Sequence, residues 1–189
     1  MPPKPHPVVE DYKRQLATFI TDSDIARYFP DAHQNIVLFS HLKDYPTMHD
    51  LLPHDKAYKF ILIETKKNSG HWTCVCRYGD TFESLDSYGC KLQNELKFIP
   101  QAIRQRLGET TDYMSKLVKT IGNDFDYVYN KDRLQANKDA VSTCGRWCIL
   151  RILMMKEMNY DLQQFLDFIH EQSHATGKPL DVLVCDYVK

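Results

Sequence analysis

The pattern of apolar and polar positions divides the chain into helical ends and a strand-rich middle. Residues 9–20 carry a weak helical pattern. The segment TDSDIARYF at 21–29 opens on capping residue types and stops before Pro30, as a short helix does. NIVLF at 35–39 reads as a short strand, and PTMHDLL at 46–52 as a short helix with proline at its start. AYKFILIE at 57–64 reads as a strand followed by a polar turn containing KKNSG. HWTCVCRY at 71–78 alternates, and Gly79-Asp80 supplies a tight turn into TFESLDSY, so these segments form a hairpin. Residues 92–107 read as helix, and DFDYVYN at 124–130 as one more strand. The last third is helical, at 144–158, 161–172 and 179–188, with Leu150, Leu153 and Met154 on a buried surface of the first helix. Strands in the middle with helices at both ends predict an α+β domain.

Composition narrows the class. A chain of 189 residues, 43% hydrophobic and 26% charged, has the balance of a soluble globular protein with one substantial core. Four prolines in the first seven residues mark 1–9 as an extended arm, and the single domain runs from 10 to 189. The net charge of -1 supplies no global basic field for nucleic acid. No apolar run approaches the roughly 18 residues of a membrane span, and the N-terminus lacks the apolar core of a secretory signal. Six cysteines without such a signal point to reduced thiols in an intracellular compartment.

The candidate chemistry centres on VSTCGRWCILRIL at 141–153. If Ser142 or Thr143 caps the helix, the Cys144 sulfur sits beside unpaired backbone N–H groups at the positive end of the helix dipole, which favours thiolate. Gly145 leaves the neighbouring backbone approachable by a substrate. On this segment alone a packed core cysteine remains the stronger reading. A nucleophile needs a base, and among eight histidines His71 stands apart, because it follows Ser69-Gly70 and opens a strand. Trp72 beside it would wall the site and limit water. In the hairpin centred on Gly79-Asp80, position 71 pairs with 88, which puts Asp86 within side-chain reach of His71. A carboxylate there fixes the imidazole tautomer and stabilises imidazolium. The competing reading is that Asp86 and Ser87 only cap a turn before Gly89. Gln135 in DRLQANKD offers a side-chain amide for an oxyanion hole, beside the backbone N–H of Cys144. Cys74, Cys76, Cys144 and Cys148 have C-x-C and C-x3-C spacings rather than zinc knuckles, so no metal or other cofactor is expected. Cys148 reads as core, and Tyr88, Tyr127 and Tyr129 as sheet packing.

The order His71, Asp86, Gln135, Cys144 is not papain-like, where cysteine precedes histidine. With SGHWT, LDSYG, a lone LQ and STCGRWC opening a helix, the chain resembles the adenovirus-type and SUMO-protease-type cysteine peptidases. It is most similar to the adenain-like maturation proteases of virophages such as mavirus and of Polinton-type elements. The upstream TDSDIARYFP, NIVLFSHL and MHDLL segments extend the match to about residues 20–155. The resemblance implies a mixed central sheet flanked by helices. It implies Cys144 as nucleophile, His71 as general base and then acid, Asp86 as its orienter, and Gln135 as oxyanion donor. It also implies a monomeric endopeptidase that cuts capsid or core precursors after small residues during virion maturation, inside the virion or the virus factory of an infected cell. Two features depart from the family: the gap between Gln135 and Cys144 is long, and the net charge does not support the DNA cofactor of the adenovirus enzyme. That enzyme also takes an activating peptide through a disulfide; Cys90 is a thiol compatible with such a role, which nothing in the sequence assigns to it. The alternatives are a ubiquitin-like-protein deconjugase on the same fold and a non-enzymatic virion protein that has kept it.

Overall fold

The computed structural model describes residues 7–92, 96, 99–109 and 112–189. The chain opens with α1 (Pro7–Ala17), α2 (Asp22–Tyr28) and α3 (Ala32–Asn35), then β1 (Ile36–Leu38), a 3-10 segment (Phe39–Asp44) and α4 (Met48–Leu51). The strands β2 (Tyr58–Lys66), β3 (Ser69–Tyr78) and β4 (Thr81–Leu85) follow. Next come α5 (Gln101–Leu107), α6 (Tyr113–Val118) and β5 (Asp126–Tyr129), and the chain closes with α7 (Cys144–Met158), α8 (Leu162–Thr176) and α9 (Leu180–Tyr187). The five strands form one sheet in the order β1-β2-β3-β4-β5. β1 runs parallel to β2, β2 to β4 form an antiparallel meander, and β5 runs parallel to β4. This is a mixed sheet flanked by helices, as expected.

Both faces of the sheet are covered, and the register shows why. Tyr58 pairs with Cys76, Phe60 with Cys74 and Leu62 with Trp72, and all six side chains enter one core with Trp147, Cys148 and Ile149 of α7. The intervening Ile61, Ile63 and Val75 enter a second core with Phe39, Met48, Leu51 and Met114. A strand buried on both faces needs apolar residues at successive positions, which is why β2 reads as a run rather than an alternation. α7 is the central helix and is buried on nearly every side, from Cys144 to Ile152. It buries two arginines: Arg146, which donates to the carbonyls of Val188 and Thr18, and Arg151. Arg151, fully buried, reaches Glu83 of β4 through Nε and Nη2 at 2.6 and 2.7 Å, under the rings of Tyr78 and Phe165.

Several local expectations need correction. Residues 7–9 of the expected arm are the first turn of α1, where Pro7 fits because its missing N–H has no helical partner anyway; residues 1–6 lie outside the described residues. The helix at 46–52 starts at Met48 with Thr47 as its cap in a capping box with Asp50, so Pro46 precedes it. The expected helix at 92–107 is interrupted: Pro100 is the cap residue of α5, so the regular helix covers Gln101–Leu107, and 93–95 and 97–98 lie outside the described residues. α3 and α6 were not anticipated; each is too short, at four and six residues, to show a helical period.

Candidate active site

The β3–β4 hairpin has the register expected of a Gly79-Asp80 turn, from Tyr78 opposite Thr81 to Cys74 opposite Leu85. The ladder with β4 stops there, and Asp86 leaves β4 beside the end of β3 that carries His71, which pairs on its other side with Ile63 of β2. His71 Nε2 lies 2.7 Å from Asp86 Oδ1, with side-chain exposures of 14% and 0%. Asp86 is also the turn cap of the competing reading. Its carboxylate accepts from the backbone N–H groups of Tyr88 (3.1 Å) and Cys90 (3.2 Å), and its carbonyl from Gly89 N–H. Asn130 closes the other side, accepting from Asp86 N–H and donating to Asp86 C=O, both at 2.8 Å. The two readings are one structure: the turn that caps the strand immobilises the carboxylate that orients the histidine. Gly89 makes the turn possible with φ +74, and a Cβ there would lie 2.6 Å from Lys131 O.

Cys144, 7% exposed, is the first residue of α7, and its sulfur is hydrogen-bonded to His71. Burial pushes the Cys144 thiol up, but the hydrogen bond and charge of His71 and the backbone N–H groups of Trp72 and Gly145 outweigh it, so the thiol is held below its ordinary value. Burial pulls His71 down, and its bonds to Asp86 and Cys144 reverse this, so the imidazole is held well above its ordinary value. Cys76, Cys148 and Cys185 go the other way, pushed up by burial.

The helix-start argument needs amending in one respect. Thr143 occupies the cap position but makes no side-chain cap bond. Its hydroxyl donates to Asp181 instead. The sulfur nonetheless lies at the first turn, where the Gly145 N–H adds to the influences that favour thiolate.

His71, Gln135 and Cys144 meet at a cleft of about 520 Å³, whose walls include Phe19, Ile63, Tyr88, Cys90 and Val141. Gln135 is 2% exposed. It is tethered to the turn after Asp86, because Leu134 and Gln135 N–H both donate to Ser87 O and Ser87 Oγ donates to Gln135 Oε1 at 2.9 Å. Its Nε2 donates to Val141 O at 3.0 Å and to Tyr88 Oη at 3.3 Å. A second cleft, of about 570 Å³, lies between β5 and the start of α8 and has neither cysteine nor histidine in its walls.

No protein-family model matches the chain. It is 34% identical over 139 residues to the uncharacterized protein V9 of the Sputnik virophage, covering 72% of this chain and 77% of that protein. The chain belongs to this virophage V9 family. Two solved structures also align: the SUMO protease Ulp1 with its catalytic cysteine oxidized to a sulfinic acid, and the C-terminal Ulp1 protease domain in complex with Smt3, the yeast ortholog of SUMO. Their TM-scores are 0.40 and 0.39 at 18% identity, over 96% of this chain and 84% of each of theirs.

Two expected substrate contacts of the V9-family chain are placed elsewhere. Trp72 is buried in the α7-side core with its indole N–H donating to Ile20 O at 2.9 Å, so its ring does not wall the cleft; its backbone N–H reaches the sulfur. Gly145 is not open to a substrate, since a Cβ on it would meet Ile20 Cβ at 2.6 Å. Its hydrogen atom admits Ile20 and the incoming N-terminal segment. Tyr88 was read as sheet packing. It stacks on His71 with ring centres 5.0 Å apart and planes 23° from parallel, a contact whose trace in the sequence is the 71-to-88 pairing of the hairpin.

Proposed function

We propose that this chain is a cysteine endopeptidase that cleaves capsid or core precursor proteins of its virus during virion maturation, after small residues. The observation that carries the reading is the state of Cys144. Its thiol is shifted toward thiolate, whereas those of Cys76, Cys148 and Cys185 are pushed the other way, and it is paired with a histidine held by a buried carboxylate. In this reading the Cys144 thiolate attacks the scissile carbonyl, and His71, already protonated, delivers its proton to the leaving amine. The acyl-enzyme is then hydrolysed by water that His71 deprotonates. The developing oxyanion takes the Cys144 N–H and one N–H of Gln135, which releases Tyr88 Oη, the longer of its two bonds, to do so. The relationship to the virophage protein V9 supports the viral setting, and with it a site of action in the virus factory or assembling virion. The chain acts as a monomer without a cofactor.

The test is co-expression with the capsid precursor of the same virus, with cut sites mapped by mass spectrometry. Cleavage after small residues is expected with the wild-type chain and none with a folded Cys144→Ala variant. Cleavage that persists in that variant refutes the assignment of the nucleophile. An intact precursor alongside hydrolysis of a ubiquitin-like fusion would instead make the chain a deconjugase.

A further inference from the structure

The nucleophile and the proposed oxyanion donor arrive at the cleft on different segments. Cys144 begins α7, and Gln135 lies in the irregular stretch that follows β5. The residues next to them, Thr143 and Ala136, converge on one carboxylate from the end of the chain. Ala136 N–H donates to Asp181 Oδ2 at 2.9 Å, and the Thr143 hydroxyl donates to Asp181 Oδ1. Asp181 is in the first turn of α9 and 9% exposed. The Trp147 indole, one turn into α7, also faces this carboxylate, although its N–H makes no hydrogen bond of ordinary geometry.

We propose that Asp181 is a positioning residue that sets the separation between Cys144 and Gln135, and with it the geometry of the oxyanion hole. The inference rests on the cysteine-peptidase reading above. Each oxygen of the carboxylate holds one segment, so the group acts as a two-armed clamp that a single-acceptor side chain cannot replace. Asparagine keeps one acceptor oxygen and turns an N–H donor toward the other arm. The clamp reaches neither sulfur nor imidazole, so its removal leaves the Cys144–His71 pair in place. Burial makes the charge unfavourable, pushing the Asp181 carboxyl up against the hydrogen bonds from Thr143 and Ala136.

Two reagents separate positioning from thiol reactivity. p-Nitrophenyl acetate acylates a cysteine through a tetrahedral oxyanion: a bond forms from sulfur to the acetyl carbon, and the ester bond breaks to release p-nitrophenolate. Iodoacetamide alkylates the same thiolate by displacing iodide and forms no oxyanion. Both reactions are followed at Cys144 by mass spectrometry of its peptide, in full-length wild type, Asp181→Asn, Thr143→Val and Thr143→Ser, each checked for folding by circular dichroism. Acylation of Asp181→Asn and Thr143→Val should fall about 10- to 100-fold, the scale of an ångström-sized misplacement, while alkylation and its pH profile stay within about twofold, the scale of an unchanged thiolate fraction. Thr143→Ser, which keeps the hydroxyl, should recover most of the acylation. The proposal is overturned if a folded Asp181→Asn acylates within threefold of wild type, or if acylation and alkylation fall together. Wild-type Cys144 that is no more reactive than an exposed thiol toward either reagent refutes the peptidase reading itself, and the clamp with it.

Discussion

Removing His71 should cost Cys144 its thiolate. In the wild-type chain burial pushes the thiol up, and His71, by hydrogen bond and charge, is the largest influence pulling it down. Without the imidazole, burial is opposed chiefly by two backbone N–H groups, and the thiol returns to the range of an ordinary or buried cysteine. A thiol with a pKa of about 9 is about 1% ionised at pH 7, so alkylation of Cys144 in His71→Ala should fall toward the rate set by that small thiolate fraction. The shift should also change the pH profile. Wild-type alkylation is expected to set in at lower pH than in the variant, because thiolate and imidazolium stabilise each other and titrate as a pair. The variant should instead show one rise on the alkaline side. The linkage has a definite sign: the folded-state pKa of His71 is raised, so its contribution to stability is full below the unfolded value near 6.5 and is lost as pH rises through the folded value. The assay is iodoacetamide alkylation of the Cys144 peptide between about pH 5 and 10, a window spanning the ordinary histidine and cysteine ranges. A folded His71→Ala that alkylates within threefold of wild type at neutral pH would refute the argument that the histidine holds the thiolate.

Asp86→Asn should slow turnover less than His71→Ala, since it loosens the ring without removing the base; equal and complete losses in folded variants would show that Asp86 does more than orient. Glu83→Gln leaves the Arg151 charge buried and unpaired, and should destabilise the chain by about 3–5 kcal/mol, or roughly 10 °C in Tm for a chain of this size; replacing both residues by apolar ones should recover most of it, as read by thermal denaturation. Gly89→Ala combines a left-handed backbone with a 2.6 Å approach to Lys131 O. It should cost more than about 1–2 kcal/mol, with a urea midpoint unchanged from wild type counting against the strain argument. Glu109 is fully buried beside Glu64 and Arg104; burial pushes it up to about 7, its Oε1 accepts from Glu64 N–H, and its Oε2 has no hydrogen-bond partner among the described residues. Its folded value lies above the unfolded one, so stability should fall as pH rises from about 4.5 to 7, and Glu109→Gln should flatten that slope in denaturant titrations.

What was legible in the sequence is what depends on local spacing. A two-residue turn fixes the register of a hairpin, and the register alone brings His71 beside Asp86. A helix start after Ser-Thr places Cys144 at exposed first-turn N–H groups, whichever residue makes the cap. The parts that escaped depend on long-range polar contacts, which leave no period. Nothing in the local pattern marks Arg151 and Glu83 as partners, yet they are buried together as an ion pair. Asp181 lies far from Thr143 in the chain and resembles an ordinary helix-start acid until the fold brings them together. Gly145 was open to two explanations, substrate access or close packing, and only the position of Ile20 decides between them. Tyr88 shows the intermediate case. Its nearness to position 71 follows from the hairpin register extended past the end of the ladder, but its role follows from what occupies position 71. An aromatic opposite a core residue is packing; opposite a histidine that binds a thiol, the same ring becomes a wall of the site.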